Sequence, residues 1–143
     1  MPAELDEVRR TLRKRFKQIK KSFIGTADIY CFKEKKCLNL FNRLQREAQI
    51  VRVYPDAFGH LMAIRGAIDV MVDPWAYIWD FAPCKIMATE AGGEFLNFAG
   101  NQGRIDAGNA VLGNPDLVKV VRKMIKEGGG TCPKSRLRFT KQV

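Results

Sequence analysis

The chain has 143 residues, 46% of them hydrophobic and 28% charged, and a formal net charge of +10. These are globular proportions: one domain able to bury its own core, too apolar for a disordered chain and lacking the ~20-residue apolar run that spans a bilayer. Four cysteines without metal-ligand spacing and a single histidine, His60, argue against a zinc finger or a two-histidine site and predict reduced thiols in a cytoplasmic protein.

The opening Met1-Pro2-Ala3-Glu4-Leu5-Asp6 carries acids and no apolar stretch, so no signal peptide is predicted. The positive charge lies at the two ends. Residues 1–22 hold eight Lys or Arg against three acids, residues 131–143 hold four bases and no acid, and the middle is close to neutral. Such ends attract polyanions without selectivity. The interleaved aromatic and basic residues of a single-strand binder are missing, so no specific nucleic-acid partner is predicted.

Leu5, Val8, Leu12, Phe16, Ile19 and Phe23 recur every three or four residues and predict an amphipathic helix over residues 5–23 with a basic outer face. A solvated surface is the favoured reading of that face, and contact with phosphate backbone or anionic membrane is the alternative. Residues 22–27 break the helix, and a short strand is expected near 27–32. Leu38, Phe41, Leu44 and Ala48 mark a helix over 33–48. The β-branched run Ile50-Val51-Arg52-Val53-Tyr54 reads as a strand ended by Pro55, after which Asp56 caps a helix over 57–65 closed by Gly66. Residues 67–73 form the next strand, stopped by Pro74. A helix over 79–91 ends at Gly92-Gly93. A strand over 94–98, a Gly- and Asn-rich loop over 99–108 and a strand over 110–113 follow, and Asn114-Pro115 opens a last helix. The basic tail beyond Gly128-Gly129-Gly130 is predicted to be flexible. Alternating strands and helices give the class α/β.

Three acids, Asp56, Asp73 and Asp80, fall where strands end and helices begin, the edge of an α/β sheet at which ligands collect. Three carboxylates there suit a hard cation such as Mg2+, which takes oxygen ligands and keeps waters for a phosphate. Each also has a plainer reading, as a helix cap or a turn former. Pro83, three residues after Asp80, lacks the N–H that a capping carboxylate uses. That leaves more of Asp80 open, with the N–H of Ala82 still available to it.

The stretch Trp79-Asp80-Phe81-Ala82-Pro83-Cys84-Lys85-Ile86-Met87-Ala88-Thr89-Glu90-Ala91-Gly92-Gly93 resembles the C-terminal signature of the inositol monophosphatase family. Upstream, Tyr54-Pro55-Asp56-Ala57-Phe58-Gly59-His60 and Ala63-Ile64-Arg65-Gly66-Ala67-Ile68-Asp69 are similar to the histidinol-phosphatase-like branch. Asn109-Ala110-Val111-Leu112-Gly113-Asn114 and the last helix match as well, so the resemblance covers roughly residues 24–126.

The resemblance implies a layered mixed sheet with helices and a Mg2+-dependent phosphomonoesterase acting on a small phosphate ester, with histidinol phosphate or an inositol phosphate as the leading candidates. It makes Asp80 a metal ligand and puts Asp56 and Asp73 at the substrate. His60 falls where relatives carry an aromatic residue, so packing is its expected role. Pro55 replaces the usual Gly before Asp56, and Pro83-Cys84 replaces small residues, departures that touch the substrate pocket more than the metal ligand. The family's first half, with its Glu and its Asp-Pro-Leu-Asp-Gly-Thr motif, has no counterpart here; Asp73-Pro74 shares only two letters of it. The expected organisation is a basic helix over 1–23, a phosphatase-family C-terminal domain over 24–127 and a flexible basic tail over 128–143. Such a chain is a fragment, a split gene product or a degenerate relative, working with a missing N-terminal half or as a homo-oligomer. The second reading is a non-catalytic scaffold whose basic helix docks on an acidic partner.

Overall fold

The computed structural model describes residues 3, 4, 6, 7, 18–101 and 104–128. Within them the aliphatic and β-branched runs form five strands, β1 (Phe23–Thr26), β2 (Ile50–Val53), β3 (Val70–Asp73), β4 (Glu94–Leu96) and β5 (Ala110–Gly113). They join in one sheet in the order β2-β1-β3-β5-β4. Strand β1 runs parallel to β2 and β3, whereas β5 is antiparallel to β3 and β4. The helices are α1 (Ile29–Glu34), α2 (Leu38–Glu47), α3 (Asp56–Ile64), α4 (Ile78–Glu90) and α5 (Pro115–Glu127). The α/β class and the mixed, layered sheet agree with the sequence reading.

Side chains alternate across a strand, and β3 uses both of its faces. Val70 and Val72 join a core built with Phe32, Leu44, Leu117 and Val121 of α1, α2 and α5. Met71 joins the opposite core with Ala63 of α3 and with Phe81, Cys84 and Ala88 of α4. Helix α3 approaches the sheet closely because position 59 has no side chain: a Cβ on Gly59 would lie 2.7 Å from the Met71 methyl carbon. Among the described residues no helix is long and apolar enough to cross a membrane.

The structure corrects several boundaries. The strand expected near 27–32 is instead β1, at 23–26, and residues 29–34 are helical. The cause is Asp28, whose carboxylate accepts the Tyr30 N–H at 2.8 Å and starts α1. The single helix expected over 33–48 is two, because Lys36 adopts a left-handed φ of 56° between α1 and α2. The strand of 67–73 shortens to 70–73 after the left-handed Gly66. The predicted basic helix lies mostly outside the described residues. At its C-terminal end, Ile19–Lys21 form a 3-10 turn and Phe23 belongs to β1. The basic tail beyond 128 also lies outside them.

Helix α4 ends as its glycine pair predicts, through two different constraints. Gly92 has a φ of 79°, where a Cβ is strained. At Gly93 a Cβ would sit 2.9 Å from the backbone oxygen of Gly113 in β5. Gly92→Val and Gly93→Val are each expected to lower stability by about 1–2 kcal/mol, read as a lower melting temperature. Melting unchanged from the parent in both variants would contradict this.

Candidate active site

The alternation that turns Met71 toward α3 and α4 also turns Asp73, the last residue of β3, to that side. Asp73 is fully buried, and its partner there is the equally buried His60 of α3. The His60 Nε2 and the Asp73 Oδ2 are 2.8 Å apart, and the other oxygen, Oδ1, accepts the Trp75 N–H at 3.0 Å. The ring rests against Phe81, with centroids 5.3 Å apart. Burial works against a charged imidazole. The hydrogen bond to Asp73 and the nearby Cys84 thiol outweigh it, and the pKa is pushed up to about 9. The Cys84 thiol influences the ring without meeting hydrogen-bond geometry at Nδ1, which has no hydrogen-bond partner.

Asp56 stands one helical turn before His60, on the same face of α3. Pro55 is the N-cap and Asp56 the first helical residue, so the expected cap role is corrected. An acid in the first turn still suits the positive end of the helix. Asp80 is likewise not the N-cap residue, but the third helical residue of a capping box. Helix α4 starts at Ile78 with Tyr77 as its N-cap, and Asp80 reaches back so that Oδ2 accepts the Tyr77 N–H at 3.0 Å. Pro83 therefore falls inside the helix, at its sixth residue, rather than in the first turn. Asp80 Oδ1 keeps no hydrogen bond among the described residues.

Asp73 and Asp80 both act on Asp56. Partial burial raises the Asp56 pKa first, and the negative charges of Asp73 and Asp80 raise it further, against a lowering by His60. Two aromatic pairs lie beside Asp56 and Asp80 in the sequence. Tyr77 stacks on Trp79 at 4.8 Å, and Tyr54 lies 5.8 Å from Phe58. Trp79 is 59% exposed and Phe58 54%. Among the described residues no three His, Cys, Asp or Glu side chains are placed to hold a metal ion together.

Asp56, Asp73 and Asp80 thus come into one electrostatic neighbourhood, on unequal terms. Asp80 offers a free oxygen, and Asp56 a partly desolvated carboxyl on an exposed residue. Asp73, expected at the substrate, is closed to solvent with both oxygens engaged. The sequence reading missed the His60–Asp73 pair. Its signals were the four-residue step from Asp56 to His60 and the two-residue alternation of Met71 and Asp73.

The pair makes stability depend on pH. The His60 pKa in the folded chain, about 9, lies above its ordinary 6.5. The pair's contribution is therefore complete below the ordinary value and is lost as pH rises through the folded one. Urea unfolding is expected to show stability falling across that window. Asp73→Asn should destabilise by about 1–3 kcal/mol and remove most of the fall, because without the carboxylate burial keeps the imidazole neutral across that window and its hydrogen bond is weakened. A flat profile in the parent would contradict the pairing.

The sequence pattern of the inositol monophosphatase family matches residues 9–129. The histidinol-phosphatase of Streptomyces coelicolor is 35% identical over 86 residues, 60% of this chain and 32% of that protein. The histidinol-phosphatase of Mycobacterium tuberculosis is 34% identical over 64 residues, 45% of this chain and 24% of that protein. The chain spans about a third or less of the length of these curated relatives. Among solved structures, the extragenic suppressor protein suhB of Bartonella henselae superposes with a TM-score of 0.71 at 20% identity, covering 81% of this chain and 45% of that one. Inositol monophosphatase II of Staphylococcus aureus superposes with a TM-score of 0.70 at 18% identity, covering 82% and 44%. At those identities the likeness is one of fold. The family pattern extends over most of the chain and agrees with that fold, and on this ground the chain belongs to the inositol monophosphatase family.

Proposed function

We infer that the chain is the C-terminal part of a metal-dependent phosphomonoesterase of the histidinol-phosphatase type. The observation that carries this reading is that Asp56 feels the charges of both Asp73 and Asp80 while Asp80 keeps an open oxygen. Members of the family generally use metal ions. The residues present fit one side of a divalent cation's shell: Asp80 offers an oxygen, and Asp56 stands close enough to feel its charge. Mg2+ is the cation we assign, since it binds through one or two carboxylates and completes its shell with water and phosphate oxygens. When bound, such a cation neutralises phosphoryl charge and supplies an acidified water.

The chain's own residues do the rest of this half's work. The Tyr77 N–H fixes the Asp80 carboxylate, so that its free oxygen is presented in one orientation. The His60–Asp73 pair ties α3 to the end of β3 and thereby sets the position of Asp56. Asp73 supports the site from beneath rather than touching the substrate, and Asp56 faces the substrate. The stacked Tyr77 and Trp79 beside this acidic cluster suit a substrate carrying positive charge, which aromatic faces and carboxylates both attract. That favours an amine-bearing alcohol phosphate such as histidinol phosphate over an uncharged polyol phosphate.

The site needs a second body. Phe58 and Leu61 of α3 and Ile86 and Met87 of α4 are exposed apolar residues on the helices that carry Asp56 and Asp80. We read these side chains as part of a contact surface. An N-terminal half, or a second copy of the chain, covers it in this reading and brings the remaining metal ligands.

The chain alone is therefore expected to turn over phosphate esters poorly with Mg2+, since lost positioning alone is worth ~7–11 kcal/mol. Mixing it with the separately produced N-terminal half of a histidinol-phosphatase relative should restore turnover of histidinol phosphate. Asp80→Asn should abolish the restored activity while leaving the fold intact. Robust Mg2+-dependent turnover by the chain alone would contradict the half-site, and no turnover after mixing would contradict the phosphatase reading.

A further inference from the structure

On the sheet face opposite Asp73 there is a cavity of about 170 Å³ between α2 and α5. Its floor is apolar and buried, made by Leu40, Phe98, Met124 and Ile125. Its mouth is cationic: Lys36, Arg43 and Arg46 line it and no acidic residue does. Arg43 is already compensated. Its Nε donates to Glu47 at 2.7 Å and its Nη1 to Glu127 at 2.9 Å, which ties α2 to α5. Lys36 and Arg46 are paired with no carboxylate among the described residues.

Two features of the backbone add to this. Lys36 is the one described residue other than glycine with a positive φ, 56°. Its N–H bonds the Lys33 carbonyl at 3.0 Å and the Cys37 N–H bonds the Phe32 carbonyl at 2.9 Å, a helix end that usually employs glycine. A lysine there is strained, and it lines the cavity. Strain of this sort is kept where a side chain has a use. The neighbouring N-terminus of α2 has no acid in its first turn, and its N-cap, Cys37, makes no side-chain cap. The positive end of that helix lies at the cavity, which Cys37 also lines.

We propose that this cavity binds a small organic anion, its apolar body on the Leu40–Phe98–Met124–Ile125 floor and its charged head between Lys36 and Arg46. The volume matches such a body, since an apolar cavity of about 150 Å³ accepts benzene. A bare inorganic anion would satisfy the mouth and leave the floor empty. The head is a carboxylate or a phosphate, both of which accept hydrogen bonds from these cations. The site is separate from the carboxylate cluster, and its existence does not depend on the phosphatase reading.

The test is calorimetric titration of the whole chain with phenyl phosphate, benzoate and inorganic phosphate, at low salt and with a chelator present so that no divalent cation bridges an anion to Asp80. Saturable binding of phenyl phosphate or benzoate is expected, tighter than inorganic phosphate and weakened by salt. The stronger of the two arms identifies the head group. Arg46→Gln should weaken it roughly tenfold, as expected for one lost hydrogen bond to a charged group. Lys36→Gly is the second variant. It removes the charge while placing glycine where the backbone favours it, so binding should weaken with the melting temperature kept or raised. Absence of saturable binding by both organic anions would overturn the proposal. So would affinity unchanged in both variants, or inorganic phosphate binding as tightly as the organic anions.

Discussion

A carboxylate with no exposed surface must be compensated where it stands, because removing an ion from water costs several kcal/mol even after the surroundings relax. Asp73 is such a group, at the end of the central strand β3, and His60 of α3 together with the Trp75 N–H supplies the compensation. The pair does more than neutralise a charge. It fixes α3 over the sheet, where the missing side chain of Gly59 already permits close approach. Through Phe81 and Cys84 it also reaches α4. The buried ion pair fixes α3 to β3, and the His60 ring meets α4 at Phe81, so the helices that bear Asp56 and Asp80 share one packed junction.

That junction holds like charges together. Asp56 takes up a proton more readily than an isolated aspartate, partly from burial and partly because Asp73 and Asp80 are negative. The arrangement is uncomfortable for the chain by itself and favourable once a cation or a cationic substrate enters. Perturbed groups gathered in this way are characteristic of functional sites. The exposed apolar side chains on α3 and α4 fit the same picture, since they are carried by the two helices that bear these acids. The basic cavity on the other face of the sheet has the opposite sign and shares none of these residues.

Much of this was legible in the sequence, and the gaps have physical causes. Strand β5, the last helix with its Asn114-Pro115 opening and the Gly92-Gly93 stop are written in local signals that nothing distant overrides. The region around residues 22–36 misled because β1 owes its existence to pairing on both sides, with β2 and β3, and such pairing is invisible in a local window. Capping by Asp28 then made helix of a β-branched and aromatic stretch. Of the three site acids, Asp80 was placed on the right element with the wrong local role, since its helix begins two residues before it. Asp73 was legible as a strand end. Its burial was not, because the partner that makes burial tolerable lies thirteen residues earlier, on a different element.

The most direct measurement is a carbon-13 NMR titration of the Asp56 carboxyl in the parent chain and in Asp80→Asn. If the acids form one cluster that a cation completes, the Asp56 pKa stands above the ordinary aspartate value in the parent. It then falls when Asp80 loses its charge and falls again when a divalent cation is added to the parent. An ordinary Asp56 pKa, indifferent to both Asp80→Asn and the cation, would contradict the clustered site on which the account rests.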